Sequence, residues 1–101
     1  MGASDFTNFG NDTDAGKAFV DCREQAQYDH GHGGYSGTIA EKDDFVVIDG
    51  IPQPYETARA VVHKLFVEDD RRISDKWGPA GALRVKDDKH DGWLFFGYAS
   101  S

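Results

Sequence analysis

The sequence contains a single cysteine, Cys22, among its 101 residues. One thiol can form no intramolecular disulfide, and it can build neither a cysteine zinc cluster nor a Cys-x-x-Cys redox pair. Cys22 also falls on the apolar stripe of a predicted helix, which indicates a small buried side chain and not a nucleophile. Because this cysteine usage is typical of a reducing compartment, we expect a cytoplasmic protein.

Long hydrophobic runs are missing as well. No stretch approaches the ~18 apolar residues that a membrane-spanning helix needs. The first residues also lack the basic and apolar segments of a secretory signal. We therefore expect neither secretion nor a membrane partner.

Basic residues are scarce, with 11 Lys and Arg against 18 Asp and Glu, which gives a formal net charge of −7. A surface this acidic repels a phosphate backbone, so general nucleic-acid binding is disfavoured. A basic protein is a compatible partner. The simpler interpretation of the acidic runs is that they form solvated loops.

Apolar residues are sufficient for one core. A hydrophobic fraction of 39% can fold a chain of this length without a disulfide or a structural metal. We expect a single domain over residues 1–101, with an irregular leader at 1–12 and no cofactor.

Hydrophobic spacing predicts two helices and about four strands. The first helix follows the leader, and the second follows the prolines at 52 and 54. The predicted strands are 35–41 and 45–48, joined as a hairpin, and then 82–85 and 93–99. The element order α-β-β-α-β-β favours an α+β fold with a mostly antiparallel sheet. The segment 93–99 is apolar on both faces, so it is expected to be central or covered, either within the chain or by a second copy in a homodimer.

A glycine-rich loop at 31–38, at the junction of the first helix and the first predicted strand, is the most unusual part of the sequence. Its glycines can expose backbone N–H groups to an anion, and its hydroxyls and imidazoles add further donors. We therefore predict a site for a small anionic ligand such as a nucleotide, although a tight turn would also require these glycines. The predicted ligand-binding residues are His30, His32, Gly34, Tyr35, Ser36, Gly37 and Thr38, assisted by Lys42 and Trp77.

Motifs for catalysis are weak. The helix-loop-strand order is the reverse of the dinucleotide and P-loop fingerprints, and no nucleophile elbow is present. His30 and His32 have a spacing found at some metal sites, but no second ligand cluster accompanies them, so a metal-dependent hydrolase is the weakest hypothesis and no metal is predicted. Trp77 is either a core residue or an exposed platform for a ligand or protein.

Three segments, 34–42, 75–81 and 95–100, together resemble small accessory proteins of actinobacterial tailed phages and related mobile elements. The resemblance implies a host-cytoplasm setting and a small binding role, and it assigns no catalytic residue. We expect a non-enzymatic binding protein, with an anti-defence role as one form. The alternative is an acidic protein-protein interaction module that inhibits a host factor.

Overall fold

A four-stranded mixed sheet with two helices forms the body of the molecule. The computed structural model describes residues 2–31 and 34–101. The fold class is α+β, as the sequence indicates. The elements in chain order are β1 (Ala3–Gly10), α1 (Ala15–His30), a 3-10 turn (Ile39–Glu41), β2 (Phe45–Gln53), α2 (Tyr55–Val67), β3 (Ala80–Lys86) and β4 (Asp91–Ser100).

The strands lie in the order β1-β4-β3-β2. β4 pairs antiparallel with both β1 and β3, while β2 pairs parallel with β3 because α2 carries the chain back between them. The sheet is therefore mixed, and the mostly antiparallel prediction misses this crossover. The central position predicted for the last strand is confirmed.

The predicted irregular leader is wrong, because Ala3–Gly10 forms the edge strand β1. Its sequence is largely polar, with Phe6 as its buried apolar anchor. An edge strand takes much of its stability from the backbone ladder to its neighbour, here the apolar β4, so it needs few apolar side chains of its own.

The predicted strand at 35–41 and its hairpin are also wrong. This segment is a loop that ends in the 3-10 turn, and positive φ angles at Gly34, Tyr35 and Gly37 prevent an extended backbone. β2 instead continues through Pro52, which an edge strand tolerates because one side of its ladder has no partner. The observed order is β-α-β-α-β-β.

Each face of the sheet is covered by one helix. Phe95 packs in the cluster formed with α1, whereas Leu94 and Phe96 pack in the cluster formed with α2. These three β4 side chains are fully buried, so the doubly apolar strand is covered within one chain.

Cys22 lies on the buried face of α1 as expected. Burial, together with the nearby Asp21 carboxylate, raises the pKa of its thiol to about 11. Within the described residues, neither helix has the length and apolar character needed to cross a bilayer.

Candidate functional site

Two exposed aromatic side chains meet at one end of the molecule. Tyr35 lies in the loop after α1, and Trp77 lies in the turn that precedes β3. Their rings stand edge to face, with centroids 6.3 Å apart. Tyr35 is 57% exposed and Trp77 is 67% exposed, so Trp77 is a surface residue and not a core residue. We call Tyr35 and Trp77 the aromatic pair.

Glu41 holds the loop that carries Tyr35. One carboxylate oxygen accepts the Tyr35 N–H at 3.0 Å, and the other accepts the Ser36 N–H at 3.2 Å and the Ser36 hydroxyl at 2.7 Å. Since the Ser36 proton goes to Glu41, the Thr38 hydroxyl donates to Ser36 Oγ at 2.8 Å. Thr38 Oγ1 in turn accepts the Ala40 N–H and caps the 3-10 turn. The donors predicted to bind a free anion therefore bind a carboxylate of the same chain.

The hydrogen bonds to Glu41 favour its charged form. Desolvation by burial opposes ionisation, but it is outweighed by the hydroxyl of Ser36, the N–H groups of Ser36 and Tyr35, and the nearby Arg23 guanidinium. The pKa of the Glu41 carboxyl consequently lies below its ordinary value of 4.5. The loop is thus organised around a carboxylate at neutral pH.

A pH titration of stability tests this arrangement. A carboxyl with a lowered folded-state pKa contributes stability above its unfolded-state pKa, and that contribution is lost as the pH falls through the folded-state pKa. Glu41→Gln should therefore lower the free energy of unfolding by roughly 1–2 kcal/mol at neutral pH. The difference from the natural sequence should shrink below pH 4.5. Thermal unfolding from pH 7 to pH 3 measures it, with Glu24→Gln on the exposed face of α1 as the matched control. A difference that does not change with pH would contradict the role given to Glu41.

Positive φ angles shape the same loop. Gly34 has φ 78° and Gly37 has φ 71°, and a Cβ on Gly37 would lie 3.0 Å from Ser4. These two glycines are needed by the turn itself. Tyr35 has φ 55°, an unfavourable conformation for a bulky residue, and backbone strain of this kind is often found at functional sites.

Lys42 holds the turn that carries Trp77. Its side chain is fully buried, and Nζ donates to the carbonyl oxygens of Gly78 at 2.8 Å, Lys76 at 3.2 Å and Asp75 at 3.3 Å. An ammonium has three donors, and three acceptors are present. Burial lowers the pKa of the Lys42 amine, and Asp75 partly offsets this effect. Lys42 therefore acts as an internal clamp, inaccessible to the ligand that the sequence assigned to it.

Acidic side chains border Trp77 on one side. A cleft of about 240 Å³ is lined by Asp43, Asp44 and Trp77, together with Gly78 and Pro79. Lys76 lies on the ring of Trp77, with Nζ 5.3 Å from the ring centroid, which is within cation–π range. The exposed Trp77 ring thus has one cation over it and shares a cleft with two acidic residues.

The remaining predicted site residues do not join this arrangement. His30 ends α1 on an exposed turn, and His32 lies outside the described residues. In the described parts of the chain, no group of three or more histidine, cysteine or acidic side chains is placed to hold a metal ion.

A histidine-carboxylate pair occurs elsewhere, at the β3-β4 turn. The Asp87 carboxylate forms a hydrogen bond with His90 Nδ1 at 3.0 Å. It also accepts hydrogen bonds from the backbone N–H groups of Tyr55, Lys89 and His90. These backbone hydrogen bonds hold the pKa of Asp87 well below its usual range, and the bond from the Tyr55 N–H has the largest effect. Because Pro54 makes no side-chain cap at the start of α2, Asp87 supplies that cap from across the fold. The pair is accordingly a structural cap.

Sequence reasoning missed the part played by Glu41, although a signal was present. Thr38 and Glu41 have the Ser/Thr-x-x-Glu spacing of a capping box, in which the acid folds back onto preceding N–H groups. Here the Glu41 carboxylate accepts hydrogen bonds from Tyr35 and Ser36, and Lys42 is the next residue in the sequence.

Comparison of the chain with protein-family models, with curated proteins and with solved structures finds no match.

Proposed function

We propose that this chain is a non-enzymatic binding protein that engages a basic protein partner through the aromatic pair. The observation that carries the proposal is that Tyr35 and Trp77 are exposed yet fixed. Glu41 and Lys42, adjacent in sequence and opposite in charge, each hold one of the two loops. Tyrosine and tryptophan are enriched among the residues that dominate binding energy at protein interfaces.

Fixed loops favour tight binding. A loop that is already in its bound conformation loses less conformational entropy when a partner binds. The three hydrogen bonds to Glu41 and the three from Lys42 provide this preorganisation. The strained backbone of Tyr35 is maintained by the same bonds.

Charge favours a basic partner. The chain carries a net charge of −7, and Asp43 and Asp44 line the cleft beside Trp77. A positively charged surface would be attracted at long range and could place a cationic side chain near these carboxylates. Lys76 opposes this attraction locally, so the proposal depends on the acidic side of the cleft. The resemblance to phage accessory proteins makes a host factor in the host cytoplasm the natural form of this partner.

A small anionic ligand such as a nucleotide is the second candidate, because the N–H groups of Tyr35 and Ser36 converge as an anion site requires. Such a ligand would have to displace Glu41 from both groups. It would also bind against the net charge of −7. This candidate therefore ranks below a basic protein.

Affinity capture from bacterial extract at low salt tests the proposal. The immobilised chain should retain a basic protein that is released as the salt concentration rises, because screening weakens attraction between opposite charges. Tyr35→Ala should reduce the retained band, whereas Tyr28→Ala, which removes an aromatic ring 87% exposed on α1, should not. A band that both variants retain equally would contradict the proposed surface. Calorimetric titration of a nucleotide panel addresses the second candidate, and binding below millimolar concentration would favour it.

A further inference from the structure

The two edges of the sheet are unlike. The β2 edge is interrupted, since its pairing with β3 shifts register between Val47 and Asp49 and again between Asp49 and Gln53, and Pro52 lies within it. Bulges and prolines of this kind prevent an edge from pairing with another strand. The β1 edge has none of them, because all eight of its residues pair in unbroken register with β4.

The open backbone groups of β1 can be assigned residue by residue. Gly2 and Ser101 exchange two backbone hydrogen bonds, at 3.3 and 3.1 Å. In an antiparallel ladder, bonded and non-bonded pairs alternate. The even-numbered residues of β1 therefore bond to β4, and Asp5, Thr7 and Phe9 direct their N–H and C=O groups to the open edge.

We propose that a second copy of this chain pairs antiparallel with the open edge of β1, joining two sheets into one across a two-fold axis. A net charge of −7 opposes self-association, and this repulsion is weakest at a surface that carries little charge. β1 carries one charged side chain, Asp5, among its eight residues. The proposed dimer uses the backbone edge of β1 and not the rings of the aromatic pair, and it does not depend on the function proposed for that pair.

The geometry also favours one register. Residues that face each other across a two-fold axis normal to the sheet must lie on the same face, so their numbers sum to an even value. Pairing centred on Thr7 meets this condition and places Asp5 opposite Phe9 of the second copy. The two Asp5 carboxylates are then separated along the strands by four residues, or roughly 14 Å. Thr7 faces its own copy, a favourable cross-strand pair.

Sedimentation equilibrium over a concentration series, together with amide hydrogen exchange, tests the proposal. The chain should be a dimer, and the amides of Asp5, Thr7 and Phe9 should exchange slowly at high concentration and quickly on dilution. The amides of Phe6 and Asn8, which bond to β4, should stay protected throughout.

Two lysine substitutions locate the interface. Thr7→Lys places like charges at the two-fold axis and should give a folded monomer, because Thr7 is exposed. Val47→Lys makes the same change in charge on the β2 edge, where Val47 is 46% exposed, and should leave the dimer intact. If Thr7→Lys fails to fold, the exchange pattern of the natural sequence still decides.

The contrary results are distinct. A monomer at every concentration would overturn the proposal, as would a dimer whose Asp5, Thr7 and Phe9 amides exchange quickly. Dissociation by Val47→Lys but not by Thr7→Lys would place the interface on the other edge and would also overturn it. Protection of the odd-numbered amides only when a different protein is added would show that another partner uses β1, against the second copy proposed.

Discussion

The Trp77→Ala variant should bind the captured basic partner at least about 30-fold more weakly than the natural sequence. Truncation of a tryptophan at the centre of an interface commonly removes 2 kcal/mol or more of binding free energy, which corresponds to about this factor. Trp77 is largely exposed, so its removal should leave the unfolding midpoint almost unchanged. Titration calorimetry with the purified partner measures the affinity.

Tyr28→Ala is the matched control for Trp77→Ala. It also removes an exposed aromatic ring, but one on α1 that does not belong to the aromatic pair. Its affinity should equal that of the natural sequence. Equal losses in the two variants would show that exposed aromatic area in general promotes binding, and the assignment of the surface to Tyr35 and Trp77 would fail.

Replacement of Lys42 by methionine should lower the free energy of unfolding by roughly 3 kcal/mol. Methionine fills a similar volume but leaves the carbonyl groups of Asp75, Lys76 and Gly78 without their donor. For a domain of this size the loss corresponds to a fall of roughly 12–24 °C in the unfolding midpoint. Circular dichroism during thermal unfolding measures it.

A matched substitution of a surface lysine distinguishes the loss of the buried hydrogen bonds of Lys42 from the mere loss of a positive charge. Lys64 is 73% exposed and pairs with Glu68 at 3.8 Å on α2. Lys64→Met should change stability by less than about 0.5 kcal/mol, because exposed ion pairs contribute little. If both lysine variants lost the same stability, Lys42 would not be acting through its buried hydrogen bonds.

The helices and β4 could be predicted because their signals are local. The apolar stripe of α1 repeats within one helix. The residues that form β4 are apolar on both faces, and this pattern is visible in the sequence without knowledge of the partner strand. β1 could not be predicted this way, since its stability depends on a partner about ninety residues away in the sequence. The parallel pairing of β2 was missed for a related reason, since its partner β3 comes after α2 and the segment 35–41 was predicted as a hairpin partner instead. The length of β2 was underestimated because Pro52 indicates a break in a central strand but is tolerated at an edge.

The candidate site was predicted in part. The sequence pointed to Tyr35, Ser36, Lys42 and Trp77, and the structure brings all four to one end of the molecule. Their roles could not be assigned from sequence, because the partners of Lys42 lie 33 to 36 residues further along the chain. The glycine and hydroxyl pattern around Ser36 is the same whether the anion is a ligand or a carboxylate of the chain itself. Glu41 accepts these donors in the structure, and this contact depends on its position in space.

Two-dimensional NMR of the indole N–H groups tests the central claim most directly, because the chain has two tryptophans that lie in different environments. The Trp93 indole donates to the carbonyl of Thr13 at 2.9 Å, whereas Trp77 belongs to the aromatic pair. Titration with the captured partner should shift or broaden the Trp77 signal and leave the Trp93 signal in place. Saturation of binding with no change at Trp77 would contradict the assignment of the aromatic pair as the binding surface.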